Sequence, residues 1–276
     1  MARVHHLDCG TMCPLGGRLI GGDRLLGRGL MVCHCLLVET DRDGLVLVET
    51  GFGTADCDDP TRLPRVFRAV VAPRLDRAST AVERIRALGF DPRDVRHVAV
   101  THLDPDHAGG LPDFPWAEVH VHRRERDDAT APHGARARSR YWPNRFAHGP
   151  RWVVYEAEGE TWMDLPAVRQ LRGLHHDVAL VPLFGHTRGH TAVVVRRGAR
   201  WVVHAGDAYF HRDELAGGGR GPLGLRWFAT VDEVDRPARL ASIAALRRLR
   251  ATRDDVDIVC AHDPVELDRA AVGAAP

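Results

Sequence analysis

The chain has 276 residues, 44% of them hydrophobic, which is enough for a substantial core and argues against disorder. Its net charge is +1 with the histidines neutral, and all 38 basic side chains are arginine, so it lacks the basic excess of a dedicated nucleic-acid binder. It opens without the apolar run of a secretory leader and nowhere approaches the ~18 apolar residues of a membrane helix. The expectation is a cytoplasmic protein with neither nucleic acid nor membrane as partner, its oligomeric state left open.

Residues 30–38 form an apolar run with strand character, and Asp41 to Gly44 supply turn chemistry. Residues 45–49 read as the returning strand of a hairpin. Val82, Ile85 and Leu88 are spaced for a short helix over 80–88, which Asp91 and Pro92 end. Val95–Val100 is the next strand and runs directly into a dense cluster of ligand-type residues. A short strand, Ala117–Val121, precedes a polar helix from Arg123 to Ala129. Residues 130–151 are rich in Arg, His, Pro and aromatic residues without periodicity, and read as an inserted loop or small helical lid. Trp152–Tyr155, Val178–Leu183, Ala192–Arg196 and Trp201–His204 read as strands, the last two joined by a hairpin turn. Leu240, Ile243, Leu246 and Leu249 predict a helix over 237–250, and a last strand over 257–260 ends at His262. This order favours two sheets with helices outside, within one domain spanning 1–276.

The six cysteines, Cys9, Cys13, Cys33, Cys35, Cys57 and Cys260, lack the paired clusters of a zinc ribbon and read as reduced thiols. The seventeen histidines are more informative, because of where they stand. His102, Asp104, Asp106 and His107 follow one strand. Gly185-His186-Thr-Arg-Gly-His190 follows another, Gly206-Asp207 a third and His262 a fourth. A lone His or Asp at a strand end is usually a turn or cap residue. Four such segments in this order point instead to side chains converging on a metal site.

Segment 102–107 resembles the His-x-His-x-Asp-His signature of the metallo-β-lactamase superfamily. Residues 185–190 resemble its Gly-His-Thr-x-Gly-His element, and 206–207 its Gly-Asp. The resemblance implies an αββα four-layer sandwich of two mixed sheets with helices outside. It implies two divalent ions, zinc first with iron or manganese as alternatives. His102, Asp104 and His190 would hold one ion, Asp106, His107 and His262 the other, with Asp207 bridging. Position 104 departs from the family, being Asp where His is usual, and so does Glu49, which stands where Asp is usual and is expected either to orient a ligand or to have no role. His186 is expected to orient its loop rather than bind.

The chemistry so implied is hydrolysis by a hydroxide held between the ions, with Asp106 orienting it and passing its proton to the leaving group. The segment His-x-Asp-x-Asp-His-Ala-Gly-Gly is similar to that of the acyl-homoserine lactonase branch, so a lactone or related carboxylic ester is the expected substrate. That branch binds the substrate carbonyl with a tyrosine three residues after the bridging Asp. Here Tyr209 lies two after and Phe210 three after; Tyr209 is the candidate. Tyr141, Trp142 and Phe146 would either cover an acyl chain or pack as a surface flap. The alternatives are a glyoxalase II-like thioesterase using Arg123, Arg124 and Arg126, a phosphodiesterase, and a non-catalytic metal-binding protein of the same fold.

Overall fold

The computed structural model describes residues 2–22, 25–156, 159–216 and 219–273. Seven strands make the first sheet: β1 (Arg3–Met12), β2 (Met31–Glu39), β3 (Leu45–Val48), β4 (Pro73–Arg74), β5 (Val95–Ala99), β6 (Glu118–His122) and β7 (Arg151–Tyr155). Their spatial order is β4-β1-β2-β3-β5-β6-β7, antiparallel from β4 to β3 and parallel from β3 to β7. Six more make the second: β8 (Glu160–Trp162), β9 (Leu165–Gln170), β10 (Val178–Pro182), β11 (Thr191–Arg197), β12 (Arg200–His204) and β13 (Val256–Val259). Their order is β13-β12-β11-β10-β9-β8, with only the β12–β13 pair parallel. Both sheets are mixed, as expected.

The layers follow from strand alternation. On β2, Leu36 and Val38 face the second sheet, where they meet Val193, Val195 and Val202. Cys35 and Leu37 face the opposite way, onto helix α3 (Ala81–Ala87) and α5 (Arg123–Thr130). On β11, Val194 faces outward to Ile243, Leu246 and Leu249 of α8 (Arg236–Thr252). Helix, sheet, sheet and helix therefore stack as four layers, with an apolar interior between each pair. The remaining helices are α1 (Thr54–Asp58), α2 (Arg65–Val71), α4 (Pro105–Ala108), α6 (Gly134–Arg140), α7 (Leu223–Asp232) and α9 (Pro264–Gly273).

Two expected apolar faces are shorter than their spacing suggested. Leu88 is 40% exposed and Leu240 48% exposed. In α8 the buried stripe begins at Arg239, whose Nε donates to the buried carboxylate of Glu233, so the helix is rolled away from Leu240 at its first turn. All six cysteines are free. Among the described residues no helix is long and apolar enough to cross a membrane.

Candidate metal centre

One edge of the sandwich collects the loops that leave β3, β5, β10, β12 and β13. After β5, Pro105 starts the single turn of α4, where its missing N–H costs nothing. That turn carries Asp106 and His107 beside His102 and Asp104. A side chain at Gly109 would put its Cβ 2.4 Å from the Pro105 carbonyl oxygen, so the turn closes only with glycine. Gly206 has φ +52 and faces Thr101 and His190 at 2.6 and 2.7 Å from where a Cβ would stand, which fixes glycine before Asp207.

The resulting donors form two groups that share Asp207. In the first, His102 Nε2 lies 3.3 Å from Asp104 Oδ2, 4.0 Å from Asp207 Oδ2 and 3.2 Å from His186 Nε2. His186 Nε2 lies 3.4 Å from Asp104 Oδ2 and 3.5 Å from Asp207 Oδ2. In the second, Asp106 Oδ2 is 3.5 Å from both His107 Nε2 and His262 Nε2. Asp207 Oδ1 is 3.2 Å from His107 Nε2 and 3.1 Å from His262 Nε2. Four ligands held at about 2.0–2.2 Å from one ion in a tetrahedron stand roughly 3.3–3.6 Å apart. Most of the distances in both groups lie within about 0.2 Å of that spacing, the His102–Asp207 pair at 4.0 Å being the widest. His107 Nε2 and Asp207 Oδ1 are buried without a hydrogen-bond partner, as donor atoms reserved for a cation would be.

The rings are held from behind. His102 Nδ1 meets Thr101 Oγ1 at 2.9 Å, His262 Nδ1 meets the Val32 carbonyl at 2.8 Å, and His107 Nδ1 meets Glu49 Oε2 at 3.1 Å. Each contact turns Nε2 inward. The other oxygen of Glu49 accepts the Thr101 amide at 2.5 Å, so this residue joins β3 to the loop after β5. Glu125, fully buried on α5, accepts from the Leu103 amide, the Tyr141 hydroxyl and the Thr187 hydroxyl at 2.9, 2.8 and 2.6 Å. It ties both ligand loops to the 130–151 segment. Its signal in the sequence was a lone Glu in a polar helix, too common to single out.

His190 is not brought to either group. Its Nδ1 meets the Leu183 carbonyl at 2.9 Å and its Nε2 accepts the Asp207 amide at 2.9 Å, so both ring nitrogens are engaged within the chain. His186 takes the place expected of it. His102, Asp104, Asp106, His107, Asp207 and His262 all converge as the motif implied.

The family profile described as the Metallo-beta-lactamase superfamily matches residues 28–262. The chain belongs to the metallo-β-lactamase superfamily. Among its relatives is "Probable metallo-hydrolase Rv2300c" of Mycobacterium tuberculosis, 44% identical over 263 residues, which cover 95% of this chain and 80% of that protein. N-acyl homoserine lactonase AttM of Rhizobium johnstonii is 28% identical over 235 residues, covering 82% of this chain and 80% of its own. A solved N-acyl homoserine lactone hydrolase with N-hexanoyl-L-homoserine at its catalytic metal centre has the same fold. It superposes with a TM-score of 0.71 at 18% identity, covering 97% of this chain and 95% of that one.

Against the metallo-β-lactamase pattern, Tyr209 proves a structural residue. It is fully buried, and its hydroxyl donates to both oxygens of Glu266 at 3.1 and 2.9 Å, away from the donor groups. Phe210 takes the place beside them, stacked on His262 with ring centres 5.6 Å apart. The chain turns after Asp207, and that turn carries Tyr209 into the core with Cys260 while Phe210 is left against His262. His120 and His122 also lie elsewhere: His120 bonds Tyr155 and His97, and His122 caps α5 through the Arg124 amide.

Above the donors lies a cavity of about 510 Å³. Asp104, Asp106, Asp207 and His262 reach its floor, while Phe67, Val70, Trp142, Trp227, Phe228 and Val231 make its walls. Of the three expected aromatic covers only Trp142 lines it. Tyr141 is buried on Glu125, and Phe146 packs on Trp152. Arg123, Arg124 and Arg126 are turned to Glu156, the Phe184 ring and Asp127, so they offer no basic patch to this cavity. Arg140 of α6 does reach it and bonds Asp104 through two nitrogens, at 2.8 and 2.6 Å. Burial works against ionisation of Asp104, yet Arg140 holds its carboxyl well below the usual range.

Proposed function

We propose that this protein is a dinuclear metal-dependent hydrolase of lactones or related carboxylic esters bearing an apolar acyl group. The observation that carries the reading is the pair of donor groups sharing Asp207 at the floor of an apolar-walled cavity. The likeness to N-acyl homoserine lactonases over most of the chain supports the choice of substrate class. His102, Asp104, His186 and Asp207 would hold one ion, and Asp106, His107, His262 and Asp207 the other, zinc being the first choice for a set of imidazoles and carboxylates.

When bound, such ions supply a nucleophilic water at neutral pH and a Lewis acid for the carbonyl oxygen. The chain supplies the rest. Phe67, Trp142, Trp227 and Phe228 bind the acyl group and exclude bulk water. Asp106, facing the cavity, takes the proton from the attacking water and delivers it to the leaving oxygen. With the Tyr209 hydroxyl turned to Glu266, no tyrosine from that segment assists the carbonyl.

The test is a substrate panel of N-acyl homoserine lactones with short and long chains, simple γ-lactones, aryl esters, glutathione thioesters and phosphodiesters. Lactone turnover rising with acyl length is expected. Turnover of thioesters or phosphodiesters with inert lactones would overturn the substrate class. In the active enzyme, Asp106→Asn should lower kcat/KM by about 10²-fold or more with an unchanged circular dichroism spectrum. Activity within a few-fold of the parent would remove Asp106 from its role.

A further inference from the structure

The aspartate at position 104 raises a question of charge. A histidine there would be a neutral donor. Aspartate adds a third carboxylate to a centre that already holds Asp106 and Asp207, at a position only 9% exposed. An uncompensated buried charge is costly. The compensation comes from the inserted segment. Arg140 Nε donates to Asp104 Oδ1 at 2.8 Å and Nη2 to Oδ2 at 2.6 Å, the fork geometry in which guanidinium and carboxylate match. Arg140 is itself fixed from behind, its Nη1 on the Asp232 carbonyl at 2.8 Å and its Nη2 3.1 Å from Asp232 Oδ2.

One oxygen serves two masters. Asp104 Oδ2 receives Arg140, and it is also the oxygen that faces His102 and His186 across the first donor group. Arg140 Nη2 further lies 2.6 Å from His186 Nε2. A cation held by this group would therefore sit next to a fixed positive charge, and its anionic ligand would be partly neutralised.

We propose that Asp104 and Arg140 act as one neutral unit in place of the histidine, with Arg140 a positioning residue that weakens and tunes the first cation pocket but not the second. The proposal rests on the metal reading given above. Removing Arg140 removes a repulsion and frees a carboxylate, so the first ion binds more tightly. Replacing Asp104 by histidine while Arg140 stays leaves an unbalanced positive charge, so that ion binds more weakly. Making both changes restores a neutral donor without a neighbouring charge, and affinity returns.

The experiment is zinc titration of the full chain against a competing chelator, the first-pocket step being the one that His186→Ala abolishes. Arg140→Met is expected to tighten that step about tenfold and Asp104→His to loosen it about tenfold. The double variant should return to within about threefold of the parent, as should Arg140→Lys, which keeps the charge. Arg136→Met is the control for the tether alone. Arg136 caps α7 through the Val231 and Asp232 carbonyls at 3.1 and 3.2 Å without touching Asp104, so its loss should leave zinc affinity unchanged. An unchanged or looser first step in Arg140→Met, or a double variant no better than Asp104→His, overturns the unit. If Arg140→Met fails to fold, a tenfold loss in Arg140→Lys does the same. A parent chain that binds no zinc, cobalt or manganese overturns the metal reading and the unit together, whereas two bound ions with the wrong pattern overturn the unit alone.

Discussion

His186 and His190 stand four apart in one loop, and only one of them can serve the centre. His190 immediately precedes β11, and both its nitrogens are engaged by the backbone. Accepting the Asp207 amide requires Nε2 without a proton, and Nδ1 then donates to Leu183. Burial keeps the ring in that neutral form by pushing its pKa down to about 3. His190→Ala should therefore leave two ions bound while costing about 1–3 kcal/mol of stability, since the Asp207 amide loses its acceptor in a dry interior. His186→Ala should lose one ion of the two with little change in stability of the metal-free chain. Metal analysis and denaturant titration of both variants read this out, and loss of an ion in His190→Ala alone would reverse the assignment. The six other candidate ligands were legible because their motifs follow strands whose ends meet at one edge. This pair was not, since either histidine of Gly-His-Thr-Arg-Gly-His satisfies the spacing, and the choice depends on a carbonyl and an amide from elsewhere. Tyr209 was misplaced for a related reason: the residue type was right for the chemistry, but the turn after Asp207 carries that position into the core.

Three arginines tie segment 130–151 to the rest of the chain. Arg136 and Arg140 reach the C-terminal carbonyls of α7, where the helix dipole favours a cation. Arg145 forms a fork with Asp56 of α1, at 3.1 and 2.7 Å, and Asp56 is only 1% exposed. Breaking a buried pair by deleting one partner is expensive because the other charge is stranded. Arg145→Met should cost about 3 kcal/mol in urea unfolding, moderated by Arg62 standing 3.8 Å from Asp56. A loss under about 0.5 kcal/mol would mean that the pair behaves as a solvated surface contact. Strands built from unbroken apolar runs, β2, β3, β10, β11 and β12, were readable from periodicity, and so was α8. Strand β1 was not: Arg3–Met12 interleaves histidines, an aspartate and small residues, and its burial comes from β2 and α9 on either side. Helix α7 escaped for the opposite reason. Leu223, Trp227 and Val231 remain exposed, with Trp227 and Val231 on the cavity wall, so its apolar residues do not follow a core-facing stripe.

The two donor groups lie where the two sheets meet. His102, Asp104, Asp106 and His107 hang from the first sheet, His186, Asp207 and His262 from the second, and each group draws on both. Without a cation, three carboxylates and four imidazoles face one another in a buried seam where Asp207 Oδ1 and His107 Nε2 make no hydrogen bond. An ion that binds only the folded chain contributes about 2.7 kcal/mol when free metal exceeds its dissociation constant a hundredfold. For a chain of this size each kcal/mol moves the midpoint by roughly 2–4 °C. Dialysis against a chelator should then lower Tm by about 5–10 °C per tightly held ion, and added zinc should restore it. Asp207→Asn, which alters the one residue shared by both groups, should abolish most of that zinc-dependent shift, whereas His186→Ala should abolish only the share of the first ion. A Tm indifferent to chelator and zinc would mean that the seam is closed by hydrogen bonds alone, and the convergence of side chains from both sheets would then need another explanation.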